Sequence, residues 1–185
     1  MSERGEGVYP DRPFVSRTVA IGGRSKSELV RDLRERSIRL NDSAERLFAD
    51  DRFVTERARR LLPTVELTVE NLGYPQGATT EEINVRAHQV GLQPCPRELG
   101  PCLRLAYLDQ PEGSFGAPVR QHKAPLGSVT IASEPLDEDP STPSGFYLRR
   151  IDSELWLRGY HSERTFLWDP GDHLVFQSSR ADSGE

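Results

Sequence analysis

Hydrophobic and polar positions change period several times along this chain, and each change predicts an element. "RTVAIGG" (17–23) reads as a short strand ending on a glycine turn. From Ser25 the spacing becomes helical: Leu29 and Leu33 lie one turn apart with Val30 beside them, and Ser25 with Glu28 forms a capping box for residues 25–36. "SAERLFAD" (43–50) carries Ala44, Leu47 and Phe48 inward, and "TERARRLL" (55–62) predicts a third helix stopped by Pro63. "TVELTVE" (64–70) sets Val65, Leu67 and Val69 against Thr and Glu, the pattern of a strand with one wet face. "TTEEINVRAHQVG" (79–91) is a helix capped by Thr79 or Thr80, with Ile83, Ala87 and Val90 inward and Gly91 at a left-handed exit. "LRLAYL" (103–108) predicts a return to strand. Residues 25–40 and 79–94 share a cap and an aliphatic exit, which raises a strand–helix duplication; unrelated amphipathic helices share the same features.

Beyond a Pro/Gly-rich stretch the period is two. "SVTIASE" (128–134) is a strand, "PLDEDPSTPSG" (135–145) an acidic loop, and "FLWDPGDHLVF" (166–176) a strand pair around Asp169-Pro170-Gly171-Asp172. Between them, "GFYLRRIDSELWLRGYHS" (145–162) reads as a hairpin. With Asp152-Ser153 as a two-residue turn, Ile151 faces Glu154, Arg149 faces Trp156 and Tyr147 faces Arg158. One face then holds Phe146, Leu148, Leu155 and Leu157, and the other Tyr147, Arg149, Trp156, Arg158 and Tyr160. A three-residue loop mixes the two sets, so the segregation selects the first register.

The element order predicts an α+β protein: an N-terminal strand–helix part (17–108) packed with a C-terminal antiparallel β-meander (128–177). The connector is 109–127, with a flexible arm at 1–16 and a flexible tail at 178–185. No apolar run reaches the ~18–20 residues that span a bilayer, and the start has no secretory h-region. Two cysteines, Cys95 and Cys102, do not make a disulfide framework, so a cytoplasmic location is expected. Net charge is −5, yet residues 24–60 carry 11 basic and 8 acidic side chains. Because the signs interleave at helical spacing, a solvated helix face accounts for them better than a nucleic-acid stripe. Of the 24 basic residues only Lys26 and Lys123 are lysine, a skew that a GC-rich genome explains and that discounts each arginine as a functional signal.

Candidate chemistry is sparse. Cys95, Cys102, His88 and His122 fit no compact zinc spacing, so no metal and no cofactor are expected. "AIGGRSKSEL" sits between strand and helix but lacks both glycine-rich nucleotide fingerprints, although amides at Ser25–Ser27 open a helix N-terminus. His161, Asp169 and His173, with Asp172, form a His/Asp group near the C-terminal turns in which a carboxylate orients an imidazole as a general base; turn formation explains the aspartates equally well.

"IGGRSKSEL", "ENLGYPQGAT", "CPRELGPCLRLAYLDQ" and "GFYLRRIDSELWLRGY" together resemble a group of small actinobacterial proteins of unestablished activity, some labelled helicase. The resemblance implies no catalytic residues, and the chain has neither a Walker A lysine nor room for two motor lobes. The expected function is non-catalytic binding of a small molecule or protein partner by the Tyr147/Arg149/Trp156/Arg158/Tyr160 face, with no membrane role. The alternatives are a small hydrolase using His161, Asp169 and His173, and weak nucleic-acid binding through 24–60.

Overall fold

The computed structural model describes residues 8–113 and 126–179, and the protein is α+β. In chain order the elements are β1 (Val15–Ile21), α1 (Lys26–Glu35), β2 (Arg39–Leu40), α2 (Asp42–Ala49) and β3 (Arg60–Thr68). After a 3₁₀ turn (Glu70–Leu72) come β4 (Ala78–Thr79), α3 (Thr80–Gln89), β5 (Leu92–Gln93) and α4 (Leu99–Ala106). The C-terminal part holds β6 (Val129–Ile131), β7 (Gly145–Ile151), β8 (Glu154–Tyr160), β9 (Leu167–Trp168) and β10 (His173–Ser178).

One sheet runs β1-β3-β10-β6-β7-β8-β2, with β5 added beside β10, and β4 pairs with β9 in a separate ribbon. Strands of the N-terminal part flank a block of C-terminal strands on both sides, so residues 17–108 and 128–177 share a sheet. The expected meander holds for β6, β7 and β8, which pair antiparallel. It fails on either side, because β10 lies parallel to β6 and β2 parallel to β8. The expected strand pair at 166–176 also divides: β9 joins β4, while β10 enters the sheet centre between β3 and β6.

Both capping boxes form. Ser25 Oγ accepts from Glu28 N while Glu28 accepts from Ser25 N, and Thr79 and Glu82 repeat the arrangement. Each helix leaves on a left-handed residue, Ser37 (φ 56°) and Gly91 (φ 81°). The two units nevertheless cover opposite faces of the sheet. Leu29 and Leu33 of α1 join Leu47, Phe48, Leu103, Phe146, Leu148 and Leu157 in one core. Ile83 and Ala87 of α3 join Val65, Leu67, Trp168, Leu174 and Phe176 in the other.

Four local expectations are corrected. Residues 55–62 are not a helix, because the buried Glu98 carboxylate takes the amides of Glu56 (2.8 Å) and Gly22 (3.1 Å) and ties this segment down as a loop. β3 then begins at Arg60 and runs through Pro63, whose missing N–H is tolerated because β10 reaches only as far as Thr64. Residues 103–108 are mostly helix: every residue from Leu99 to Leu105 is buried, and Gly100 lies so close to Phe146 that a Cβ would sit 2.7 Å from it. The supposed wet face of β3 is dry, with Thr64 and Glu66 both buried. In the expected arm, Tyr9 is buried in the second core and its N–H bonds Asn71 O. Residues 1–7, 114–125 (His122 among them) and 180–185 lie outside the described residues. No helix among the described residues is long and apolar enough to cross a membrane.

Candidate functional site

The hairpin forms in the expected register. Asp152 and Ser153 take left-handed conformations (φ 51° and 66°), and Ile151, Arg149 and Tyr147 face Glu154, Trp156 and Arg158. Both residues positive is the primed turn that matches strand twist. Phe146, Leu148 and Leu157 are fully buried, as the alternation requires.

The opposite face is largely occupied with itself. Arg158 Nε donates to Tyr147 Oη at 2.7 Å, and its guanidinium lies 5.0 Å from the Trp156 ring centre. Arg39 approaches the same ring at 5.7 Å while pairing with Glu154 at 2.6 Å. Tyr147 is only 9% exposed, and Arg149 and Trp156 are half-buried. Cross-strand cation–π contact of this kind contributes about 0.5–1 kcal/mol per exposed pair. Tyr160 turns away from this stack: its hydroxyl donates to Ile131 O (3.1 Å) and its ring meets Trp168 edge-on at 6.1 Å.

Tyr160 leads into a cavity of about 250 Å³ between α3 and the segments around residues 132–135, 144 and 160–168. Its floor is Ile83, Tyr160, Trp168, Leu174 and Phe176. Ser133, Ser144 and Ser162 bring hydroxyls to the wall, and Glu81, Glu134, Glu163 and Arg164 stand at the rim. The walls are tightly placed. Trp168 Nε1 donates to Thr80 Oγ1 at 2.9 Å, and the Thr80 and Glu81 amides donate to Phe166 O and Arg164 O. Gly77 (φ 86°) lets β4 run against β9, since a Cβ there would stand 2.4 Å from Trp168 O. Across the cavity, Ser144 Oγ accepts from Ser162 N and donates to Ser162 O. Arg97 stands behind this wall and donates to the carbonyls of Glu134 and Ser144. Burial lowers its pKa, and its Nε has no hydrogen-bond partner among the described residues. The buried Ser133 Oγ is likewise without a partner there.

The His/Asp group is not assembled. His161 is exposed, with Nε2 3.1 Å from Ser43 Oγ and Nδ1 3.2 Å from Pro140 O. Asp169 and Asp172 close their turn: Asp169 N donates to Asp172 Oδ2, and Asp172 N to Asp169 O. His173 instead places Nδ1 2.9 Å from Glu66 Oε1, and Arg17 binds the other oxygen at 2.5 Å while stacking on Tyr107 at 4.5 Å. Burial pushes the Glu66 carboxyl up, but hydrogen bonds from His173 and Arg17 outweigh it and hold it below the usual carboxylate range. The same bond to Glu66 raises the His173 imidazole.

The remaining candidates are buried or engaged within the fold. Cys95 and Cys102 are free and buried, and burial pushes the Cys102 thiol up to about 11 and Cys95 further still. Among the described residues no three His, Cys, Asp or Glu side chains gather as a metal site. The Gly22 amide, which opens the loop before α1, serves Glu98, and the Ser25 amide serves Glu28. In 24–60, Arg24, Arg31, Arg39, Arg52 and Arg60 each pair with a carboxylate. Comparison with protein-family models, curated proteins and solved structures found no match.

Proposed function

We propose that this is a non-catalytic binding protein that takes a small molecule into the cavity floored by Tyr160, Trp168 and Phe176. One juxtaposition supports the reading: buried aromatic and aliphatic side chains meet three serines and a charged rim in a single concavity, the usual build of a small-molecule site. None of His161, Asp169 and His173 lines that concavity, so a general base among them would stand away from a molecule bound there. Of the hairpin residues first singled out, Tyr160 is the one that reaches the site. We read the protein further as a cytoplasmic member of the actinobacterial group it resembles; two free, buried thiols suit a reducing compartment.

The test is calorimetric titration with a nucleotide and metabolite panel on the wild type, Asn84→Phe and Trp156→Ala. Asn84 is exposed on α3 and lines the cavity, so a ring there obstructs it. Binding that falls at least tenfold in Asn84→Phe and survives Trp156→Ala supports the cavity. The reverse pattern moves recognition to the hairpin face.

A second reading rests on the Glu66–His173 pair, a carboxylate-oriented imidazole of the kind used in general base catalysis. It requires a turnover abolished by His173→Ala and indifferent to His161→Ala. Since Glu66 raises the His173 pKa, activity depending on the neutral imidazole would rise with pH above 6.5.

A further inference from the structure

We infer that the ligand of this cavity is an organic cation, an amine or quaternary ammonium group on an apolar body; the inference rests on the cavity being the binding site. The cavity offers negative charge and few donors. Glu81, Glu134 and Glu163 line it, all three are exposed, and none has an ion-pair partner among the described residues. The cation that shares the lining, Arg164, leans outward to Glu138 at 3.2 Å, with its side chain 75% exposed.

The backbone amides that would receive an anion are already engaged. At the N-terminus of α3, Thr79 N donates to Glu82, Thr80 N to Phe166 O, Glu81 N to Arg164 O and Glu82 N to Thr79 Oγ1. An anion site at a helix N-terminus depends on free amides, and this first turn has given its own to side chains and to the 164–166 segment. Arg97, half-buried behind the wall, turns its guanidinium onto the Glu134 and Ser144 carbonyls and does not line the cavity. An ammonium entering here meets three carboxylates above an aromatic floor, in which Tyr160 and Trp168 stand at 78° to each other. Carboxylates attract the charge at long range, and ring faces and edges accept its alkyl groups. Ser133, Ser144 and Ser162 then supply the polar contacts that orient the remainder.

The experiment uses three probes that share one ring: benzyltrimethylammonium, benzyl alcohol and benzoate. Trp156→Phe leaves Trp168 as the sole tryptophan, and its emission reports each titration. The cation should bind at least about fivefold more tightly than the alcohol, with benzoate weakest. The preference should shrink between low and physiological salt and vanish in the triple variant Glu81→Gln, Glu134→Gln, Glu163→Gln, whose sites are all on the surface. Equal or tighter binding of the alcohol or benzoate, lost in Asn84→Phe, overturns the cation while leaving the cavity reading intact. Failure of all three probes, together with panel ligands indifferent to Asn84→Phe, removes both.

Discussion

Glu66 is a buried carboxylate with both oxygens occupied, one by Arg17 and one by His173, and this makes stability depend on pH from two sides. The folded pKa of His173 lies above its ordinary 6.5, so the stabilisation from its proton is complete below that value and is lost as pH rises through the folded pKa. Glu66 lies below its ordinary 4.5, so its share is present above that value and disappears as pH falls through the folded pKa. Stability from the pair is therefore greatest between about pH 4.5 and 6.5. Urea midpoints measured from pH 5 to 9 should decline more steeply for the wild type than for His173→Gln. The difference should stay below about 1 kcal/mol, because solvent screens a half-exposed imidazole. Parallel pH curves would show that His173 gains nothing from Glu66. The pair was illegible in sequence for a simple reason: its members are 107 residues apart, and Glu66 sits in an alternation that reads as solvent-facing.

Among the elements, the hairpin was legible down to its register, because only one pairing separates Phe146, Leu148 and Leu157 from the arginines and rings. Its turn still carries two side chains in left-handed backbone. Ser153→Gly should raise stability by about 0.5–1 kcal/mol, read as a higher melting temperature, since glycine adopts φ 66° freely and the Ser153 N–H to Glu112 is kept. An unchanged or lower melting temperature would mean that the turn is not strained. α4 was not legible, because a run buried from Leu99 to Leu105, Arg104 included, has no alternation of wet and dry positions to read, whether helix or strand. Residues 55–62 read as a helix stopped by Pro63, but a single carboxylate from α4's N-terminal flank, Glu98, claims the amide of Glu56 near the start of that segment together with that of Gly22. The cavity was visible in part: Tyr160 stood out, whereas Ile83, Ser133 and Ser144 come from three separate segments that only the fold brings together.

For the whole molecule, two cores lie on opposite faces of one sheet and so share its backbone. Leu33→Ala in the first core and Leu174→Ala in the second should each cost about 2–5 kcal/mol. Both losses should appear in a single transition, with Trp168 fluorescence and far-ultraviolet circular dichroism moving together. Non-coincident curves would divide the molecule into units that melt separately. The α+β class was readable from local periods, but strand order was not, since β10 pairs with β3, β5 and β6 through contacts distant in the chain.

That position of β10 governs how the molecule is assembled. The last strand among the described residues is the keystone between two partial ribbons, β1–β3 on one flank and β6–β7–β8–β2 on the other. A nascent chain halted before His173 holds both ribbons with raw inner edges and no means of joining them, so closure waits for β10.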